Sequence, residues 1–136
     1  MVNKELIIER LKRLESCLQR LKVVAGYSKE EFLANKDLQD IAERNIQVAA
    51  QTSIDIGNHI LAAKRLSMPE GYKDVFNLLA QAGIIDKSLA EEMASIAGFR
   101  NVLVHDYLKV NYEVFYANLQ DLGAFKKFAE KVVEII

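Results

Sequence analysis

Tryptophan is absent from this chain of 136 residues, and proline and cysteine each occur once. The single cysteine, Cys17, excludes an intramolecular disulfide, so stability must come from a hydrophobic core, for which this length suffices. Leu14 and Leu18 lie beside Cys17 on a predicted helix, which favours a small buried hydrophobic residue over a reactive thiol. This cysteine content suits a reducing cytoplasm.

Long apolar runs are also missing. No window approaches the run of about 18 apolar residues that a membrane-spanning helix needs. Charges begin at Lys4 and Glu5, so the N-terminus lacks the apolar core of a secretion signal. We therefore expect a cytoplasmic protein that does not enter a membrane.

Charge of one sign does not dominate, because the formal net charge is −1 and the sequence pI is near 6.1. No global basic field therefore draws the chain onto nucleic acid, and any contact with RNA must be local. One mildly basic stretch could contribute, although an ordinary solvated helix face is the favoured interpretation. This stretch contains Lys12, Arg13, Arg20 and Lys22.

Helix breakers are scarce, and segments rich in Ala, Leu, Glu, Lys and Gln predict an all-α fold without strands. The first three predicted helices cover residues 3–25, 37–66 and 72–82. A fourth begins at Asp86 and continues into segment 100–107. The last begins at Asn111 and follows an apolar stripe to Val133. Ser28 and Glu31 predict a capping box for an additional short turn, and Gly83 predicts a helix end. Short connections indicate an antiparallel bundle of about five helices in a single domain over 1–136.

The second long helix carries a polar column beside its apolar positions. Its members, spaced by four residues and preceded one turn earlier by Arg44, are Gln47, Gln51, Asp55 and His59. A hydrogen-bonded network that stabilises the bundle or a dimer is the favoured interpretation. Alternatively, Arg44 and Asp55 could line a cleft. We expect no metal site at His59 and His105, because no further ligand spacing accompanies them.

Segment 100–107, with the sequence RNVLVHDY, concentrates the chemistry of the chain and contains one of its two histidines. An arginine can hold a phosphate by two hydrogen bonds, and a histidine can transfer a proton near neutral pH. On a continuous helix Asn101 and His105 project together, and Arg100 shares a face with Tyr107. These groups could cut a phosphodiester beside its own 2′-hydroxyl, although such spacing alone is more typical of surface residues.

The order Arg100, four residues, His105, one residue, Tyr107 resembles the motif of HEPN-domain proteins, and more narrowly that of the HepT family of bacterial and archaeal toxins. Segments 43–50 and 54–60 are similar to the second helix of that family. Chain length, helix order and the asparagine that begins the last helix also agree. The resemblance covers nearly the whole chain and implies a HEPN-like helical bundle.

The resemblance implies a metal-independent endoribonuclease that needs no cofactor and acts as a homodimer, with two motif copies facing each other across a cleft. His105 would transfer the proton of the ribose 2′-hydroxyl, Arg100 would hold the scissile phosphate, and Asn101 would position the histidine or a phosphate oxygen. The implied partner is a MntA-like nucleotidyltransferase antitoxin that attaches AMP to Tyr107. The added bulk and negative charge would then exclude RNA.

Two other functions are compatible with these residues. The chain could be a non-catalytic helical subunit that binds nucleotide or presents it to a separate nucleotidyltransferase. It could also be a structural adaptor, in which Tyr107 packs its ring at a helix end and keeps its hydroxyl in water. The presence of both Arg100 and His105 favours the nuclease.

Overall fold

The computed structural model describes residues 2–105, 108 and 110–136, and the regular elements within these ranges are all α-helices. They are α1 (Lys4–Ala25), α2 (Lys29–Ala34), α3 (Lys36–Ala63), α4 (Tyr72–Gln81), α5 (Lys87–His105), α6 (Tyr112–Leu119) and α7 (Gly123–Glu134). The predicted all-α bundle is confirmed. No helix in these ranges is long and apolar enough to cross a membrane.

The predicted helix starts agree with the observed caps. The Ser28 hydroxyl accepts a hydrogen bond from the backbone amide of Glu31 at 3.1 Å, and the Glu31 carboxylate accepts one in return from the Ser28 amide. The Asp86 carboxylate accepts from the Leu89 amide at 2.7 Å. The Asn111 side chain accepts from two amides in the first turn of α6. Each cap satisfies amides that the helix itself leaves without acceptors.

Helix α3 ends at Ala63, three residues before the expected end at Leu66. Arg65 adopts a left-handed conformation with φ of 55°. Its amide donates to the Ala62 carbonyl at 3.1 Å, and the Leu66 amide donates to the Leu61 carbonyl at 2.9 Å. This is a Schellman motif, which usually has glycine at the left-handed position. The sequence therefore gave no sign of it here, whereas Gly83, with φ of 78°, ends α4 as predicted.

The expected single last helix is wrong, because residues 120–122 separate α6 from α7. The apolar stripe continues across the break, so periodicity alone did not reveal it. The break allows two aromatic faces to reach different neighbours. Phe115 in α6 packs against Phe32 and Phe99, whereas Phe128 in α7 packs edge to face on Phe76 of α4, with ring centroids 5.7 Å apart.

The core lies where α1 and α3 pack together and where α5 packs on α3, α4 and α7. Cys17 is 2% exposed, as its position predicted, and burial raises the pKa of its thiol above the ordinary value. The large side chains with almost no exposure include five phenylalanines, which are Phe32, Phe76, Phe115, Phe125 and Phe128. This core holds the polar end of α5 in place.

Gly57 of α3 packs closely against Val75 and Leu79 of α4. A Cβ atom added there would lie 2.4 Å from Cγ1 of Val75 and 3.3 Å from Cδ1 of Leu79. Such distances leave no room for a methyl group unless α4 moves. Glycine is therefore required at this position by packing, although it disfavours the helix.

We predict that Gly57→Ala lowers the free energy of unfolding by about 1–3 kcal/mol, since overpacking outweighs the gain of up to about 1 kcal/mol in helix propensity. Chemical denaturation followed by circular dichroism measures the change. Gly123→Ala is the matched control, because its new Cβ would meet nothing nearer than 3.7 Å. Equal stabilities of Gly57→Ala and wild type would contradict the packing argument.

Candidate active site in the last turns of α5

The last turns of α5 place three polar residues beside a firmly packed apolar face. Ala97 and Leu103 are buried in the core, and Phe99 packs edge to face on Phe115 with ring centroids 5.0 Å apart. The same turns leave Arg100 and Asn101 half-buried and His105 exposed. The core therefore fixes the helix, and the polar groups lie at its rim.

The Arg100 guanidinium has only part of its hydrogen-bonding capacity in use. Its Nη1 donates to Oδ1 of Asn101 at 3.2 Å. Its Nε is buried and has no hydrogen-bond partner among the described residues. Buried polar groups are normally paired, and an arginine that only stabilised the fold would have its donors satisfied. The arrangement leaves a half-buried cation whose Nε is unpaired among the described residues, which favours binding of an anion.

His105 is the last residue of α5 and its side chain is exposed to solvent. It has no hydrogen-bond partner within the described ranges. The structure bonds Asn101 to Arg100 rather than to His105. A role of Asn101 toward the histidine or a phosphate oxygen stays a prediction, but its orientation of the arginine is observed.

Tyr107 lies outside the described residues, so its shared face with Arg100 stays a prediction. Apolar side chains are exposed on either side of it in sequence. Val104 is 39% exposed and Leu108 is 87% exposed. Exposed apolar side chains next to unpaired polar ones are typical of a surface that contacts another molecule.

Three members of the polar column on α3 make structural hydrogen bonds. Nε2 of Gln51 donates to Oδ1 of Asp55 at 2.9 Å. Nε2 of His59 accepts from the backbone amide of Asn3 at 3.1 Å, which joins the start of α1 to α3. These contacts agree with the network interpretation. Nowhere in the described ranges do three or more His, Cys, Asp or Glu residues form a group that could hold a metal ion.

Arg44, one turn before the column, is exposed and lines a groove between α1 and α3. None of the three motif residues in the described ranges lines this groove. A role of Arg44 in lining the cleft or orienting the motif stays a prediction.

Sequence reasoning missed the contact that fixes the chain after the motif. The Tyr112 hydroxyl donates to Oε1 of Glu43 at 3.2 Å, which joins the start of α6 to α3. Burial, and secondarily the Glu43 carboxylate, raise the pKa of Tyr112 above its ordinary value. The two residues are 69 positions apart, and no local pattern marks such a pair.

Comparisons with known proteins agree with the family resemblance and the fold. The family described as Ribonuclease HepT-like matches residues 7–132. The mRNA nuclease HepT of Shewanella oneidensis is 31% identical over 129 residues, which cover 94% of this chain and 96% of that protein. The tRNA nuclease HepT of Aphanizomenon flos-aquae is 35% identical over 102 residues, which cover 74% of this chain and 69% of that protein.

A solved structure of the tri-AMPylated HEPN toxin of Shewanella oneidensis in complex with MNT antitoxin superposes with a TM-score of 0.88. The two sequences are 30% identical, and the match covers 96% of this chain and 97% of that one. The family match extends over the core helices and the Arg100–His105 segment alike, and the expected HEPN relationship is confirmed. This chain belongs to the HepT-like ribonuclease family.

Proposed function

We propose that this chain is the ribonuclease toxin of a toxin–antitoxin pair, acting on RNA as a homodimer without a metal ion. The names of the two curated relatives and of the toxin–antitoxin complex support this proposal. Those relatives are named for different RNAs, messenger and transfer, so the proposal concerns RNA as a class. The reacting group, a ribose 2′-hydroxyl beside a phosphate, is common to both.

The observation that carries the proposal is the half-buried guanidinium of Arg100, whose Nε has no hydrogen-bond partner among the described residues and whose Nη1 donates to Asn101. A phosphodiester oxygen is the acceptor that such a planar donor group binds best. Negative charge increases on the phosphate oxygens as the pentacovalent transition state forms. A cation already oriented by Asn101 stabilises that charge without reorganisation.

His105 supplies the proton transfer. Its neutral imidazole takes the proton of the ribose 2′-hydroxyl while the 2′-oxygen forms a bond to phosphorus. The bond from phosphorus to the 5′-oxygen breaks, and that oxygen receives a proton from a second histidine or from water. The products are a 2′,3′-cyclic phosphate and a 5′-hydroxyl, and no oxidant or further reactant is consumed.

A homodimer supplies the second histidine and offsets the lack of a basic surface. The chain carries a formal net charge of −1, so a single copy attracts RNA only weakly. Two Arg100 side chains in one cleft would place two cations around one sugar–phosphate linkage. The exposed apolar side chains of Val104 and Leu108 are available to surround that cleft.

Regulation is proposed to act on Tyr107. Its hydroxyl oxygen would attack the α-phosphorus of ATP on the nucleotidyltransferase antitoxin, and pyrophosphate would leave. The attached AMP places a phosphate two residues from His105, where it competes with RNA for Arg100 and blocks the site by its volume.

We predict that Arg100→Ala and His105→Ala each reduce RNA cleavage by about 10²–10⁴-fold, because each removes a group that acts mainly in the transition state. Cleavage of total RNA by purified protein in excess chelator provides the measurement. Lys127→Ala, which removes an exposed cation on α7, is the matched control and should cleave like wild type. Undiminished cleavage by both motif variants would refute the site, and loss of wild-type cleavage in chelator would refute metal independence.

A second prediction separates orientation of Arg100 from direct contact with substrate. Asn101→Leu removes the acceptor and should lower kcat by about 10–100-fold, since hydrogen bonds to charged groups contribute about 1.5–3 kcal/mol. Asn101→Asp keeps an acceptor at that position, so it should retain most of kcat but raise KM by repelling phosphate. Steady-state kinetics measures both constants, and an unchanged kcat in Asn101→Leu would contradict the orienting role.

The third prediction concerns modification. Co-expression with the cognate antitoxin should raise the intact mass of the wild-type chain by one or more AMP groups. Tyr107→Phe should show no increase, whereas Tyr112→Phe, the control, should be modified like wild type because its hydroxyl contacts Glu43 instead. An increase that persists in Tyr107→Phe would assign the modification to another residue.

A further inference from the structure

A groove of about 600 Å³ lies between the C-terminal half of α1 and the N-terminal half of α3. Each helix contributes one arginine to it, Arg20 from α1 and Arg44 from α3, and Tyr27 lies in the turn that follows α1. The aliphatic side chains of Val23 and Ile41 also line it. The proposed cleavage mechanism uses none of these residues, so the groove has no role in the chemistry described above.

The two arginines give the groove a positive charge. Both side chains are exposed, and neither forms an ion pair within the residues that the structure describes. Nη1 of Arg20 donates to the neutral hydroxyl of Ser16 at 3.1 Å, which leaves the charge of the guanidinium unbalanced. Asp40 also lines the groove, but its carboxylate pairs with Lys36 at 3.1 Å. With that pair balanced, the charges of the two arginines remain.

The cations of α1 and α3 lie on the same side of the bundle. Burial raises the pKa of the Cys17 thiol, and the charges of Arg13, Arg20 and Arg44 each act to lower it. A charge has such an effect only when it lies near the titrating group. The basic stretch of α1, for which a solvated helix face is the favoured interpretation from sequence, is therefore joined here by a cation from α3.

The Tyr27 ring is 40% exposed and takes part in none of the ring contacts within the described ranges. Its backbone is nevertheless anchored, because its carbonyl accepts a hydrogen bond from the Tyr116 hydroxyl at 2.6 Å. An exposed ring on an anchored backbone can stack on a nucleic-acid base. Val23, 66% exposed, and Ile41, 43% exposed, offer apolar contacts beside that ring.

Single-stranded RNA matches this combination better than a helix of another protein does. Proteins that bind single strands commonly combine aromatic rings, which stack on bases, with cations that contact the phosphates. A helix could cover the aliphatic side chains equally well, but it would need carboxylates placed to pair with both arginines. RNA carries a phosphate at every nucleotide and meets that requirement whatever its sequence.

The groove is near enough to the end of α5 for one strand to reach both. Tyr116, which binds Tyr27, lies one turn beyond Tyr112 in α6. Tyr112 follows His105 by seven residues, which span at most about 25 Å. Domains that bind single strands hold about 4–16 nucleotides, so a strand of ordinary length covers this distance.

We propose that the groove between α1 and α3 is a second RNA-binding subsite, which holds a nucleotide of the single-stranded substrate away from the scissile linkage. A base stacks on Tyr27, and the phosphates on either side of it bind Arg20 and Arg44. The inference rests on the proposed function in taking RNA as the substrate, but binding is measured without cleavage. The subsite adds affinity and takes no part in the chemistry, so it acts on KM rather than on kcat.

The first test measures binding of the full chain to a fluorescein-labelled single-stranded RNA by fluorescence anisotropy. An RNA of about 16 nucleotides is suitable, with 2′-O-methyl groups that prevent cleavage. Tyr27→Ala should raise Kd by about 5–150-fold, since it removes the stacking ring. Tyr27→Phe keeps the ring and should bind within about twofold of wild type. Equal Kd values for Tyr27→Ala and wild type would overturn the proposal.

The salt dependence of the same binding tests the arginines. Arg20→Gln and Arg44→Gln each remove one charge and should each reduce the slope of log Kd against log salt by about 0.7, the value for one phosphate contact on a single strand. Lys127→Gln, which removes an exposed cation of α7 that does not line the groove, is the matched control and should keep the wild-type slope. Wild-type slopes in both arginine variants would refute the subsite. Circular dichroism verifies that every variant folds.

Cleavage kinetics distinguishes the subsite from the proposed active site. On a long RNA, Tyr27→Ala should raise KM and leave kcat within about twofold of wild type. On a dinucleotide, which is too short to reach the groove, the variant should cleave like wild type, and slower cleavage there would overturn the proposal. Groove variants that bind RNA normally, beside an inactive Arg100→Ala, would refute the subsite alone. Binding through the groove by a wild type that cleaves no RNA would refute the nuclease alone.

Other occupants of the groove are outcomes of the same experiments. Competition by AMP or ATP that is as effective as competition by unlabelled RNA would assign the groove to free nucleotides. A Tyr27→Ala variant that binds RNA normally but no longer binds the antitoxin would assign the groove to that protein. Either result would overturn the proposal.

Discussion

The Arg100 guanidinium lies at the edge of the core, and its Nε has no hydrogen-bond partner among the described residues. The candidate site at the end of α5 depends on this arrangement. Leaving a buried donor unpaired costs about 1–3 kcal/mol. Such an arrangement persists only where the packing of the surrounding residues stabilises the fold by more than this local cost. Here that support comes from Ala97 and Leu103, which are buried on the same turns of α5, and from the aromatic contact of Phe99. The site thus takes its geometry from the packing of the bundle.

The segment that follows the motif, helix α6, is also anchored to the rest of the bundle. The Tyr112 hydroxyl binds Glu43 of α3, and the Tyr116 hydroxyl donates to the backbone carbonyl of Tyr27 at 2.6 Å. Gln120 donates to the Ala25 carbonyl at the end of α1. Helix α6 and its C-cap are therefore tied to α3 and to the end of α1. The motif lies between this anchored helix and the buried turns of α5, so the fold positions the chain on both sides of it.

Two kinds of exposed surface follow from the same architecture. One is the polar rim of α5, where Arg100 is half-buried and His105 is exposed. The other is the groove between α1 and α3, where Val23, Tyr27 and Ile41 are exposed. Because the chain has almost no net charge, the proposed homodimer would concentrate cations around an RNA backbone without making the whole surface basic.

The sequence by itself determined the helices, most of their caps and the residues of the motif. These features depend on neighbours within a few positions, such as Ser28 with Glu31 or Asp86 with Leu89, and short-range hydrogen bonding decides them. The break between α6 and α7 and the end of α3 at Ala63 were not predictable in this way. The first depends on aromatic partners in α2, α4 and α5, and the second on a left-handed arginine where a glycine would have been recognised.

Only the tertiary structure decided how the polar residues are used. Gln51, Asp55 and His59 repeat at a spacing that would suit a site as well as a network, and their hydrogen-bond partners favour the network. Asn101 could have turned toward His105, four residues on, yet it accepts from Arg100. The exposure of these side chains, their hydrogen-bond partners and the groove between α1 and α3 depend on which helices pack against each other. That arrangement follows from packing across the whole bundle, which no local spacing in the sequence records.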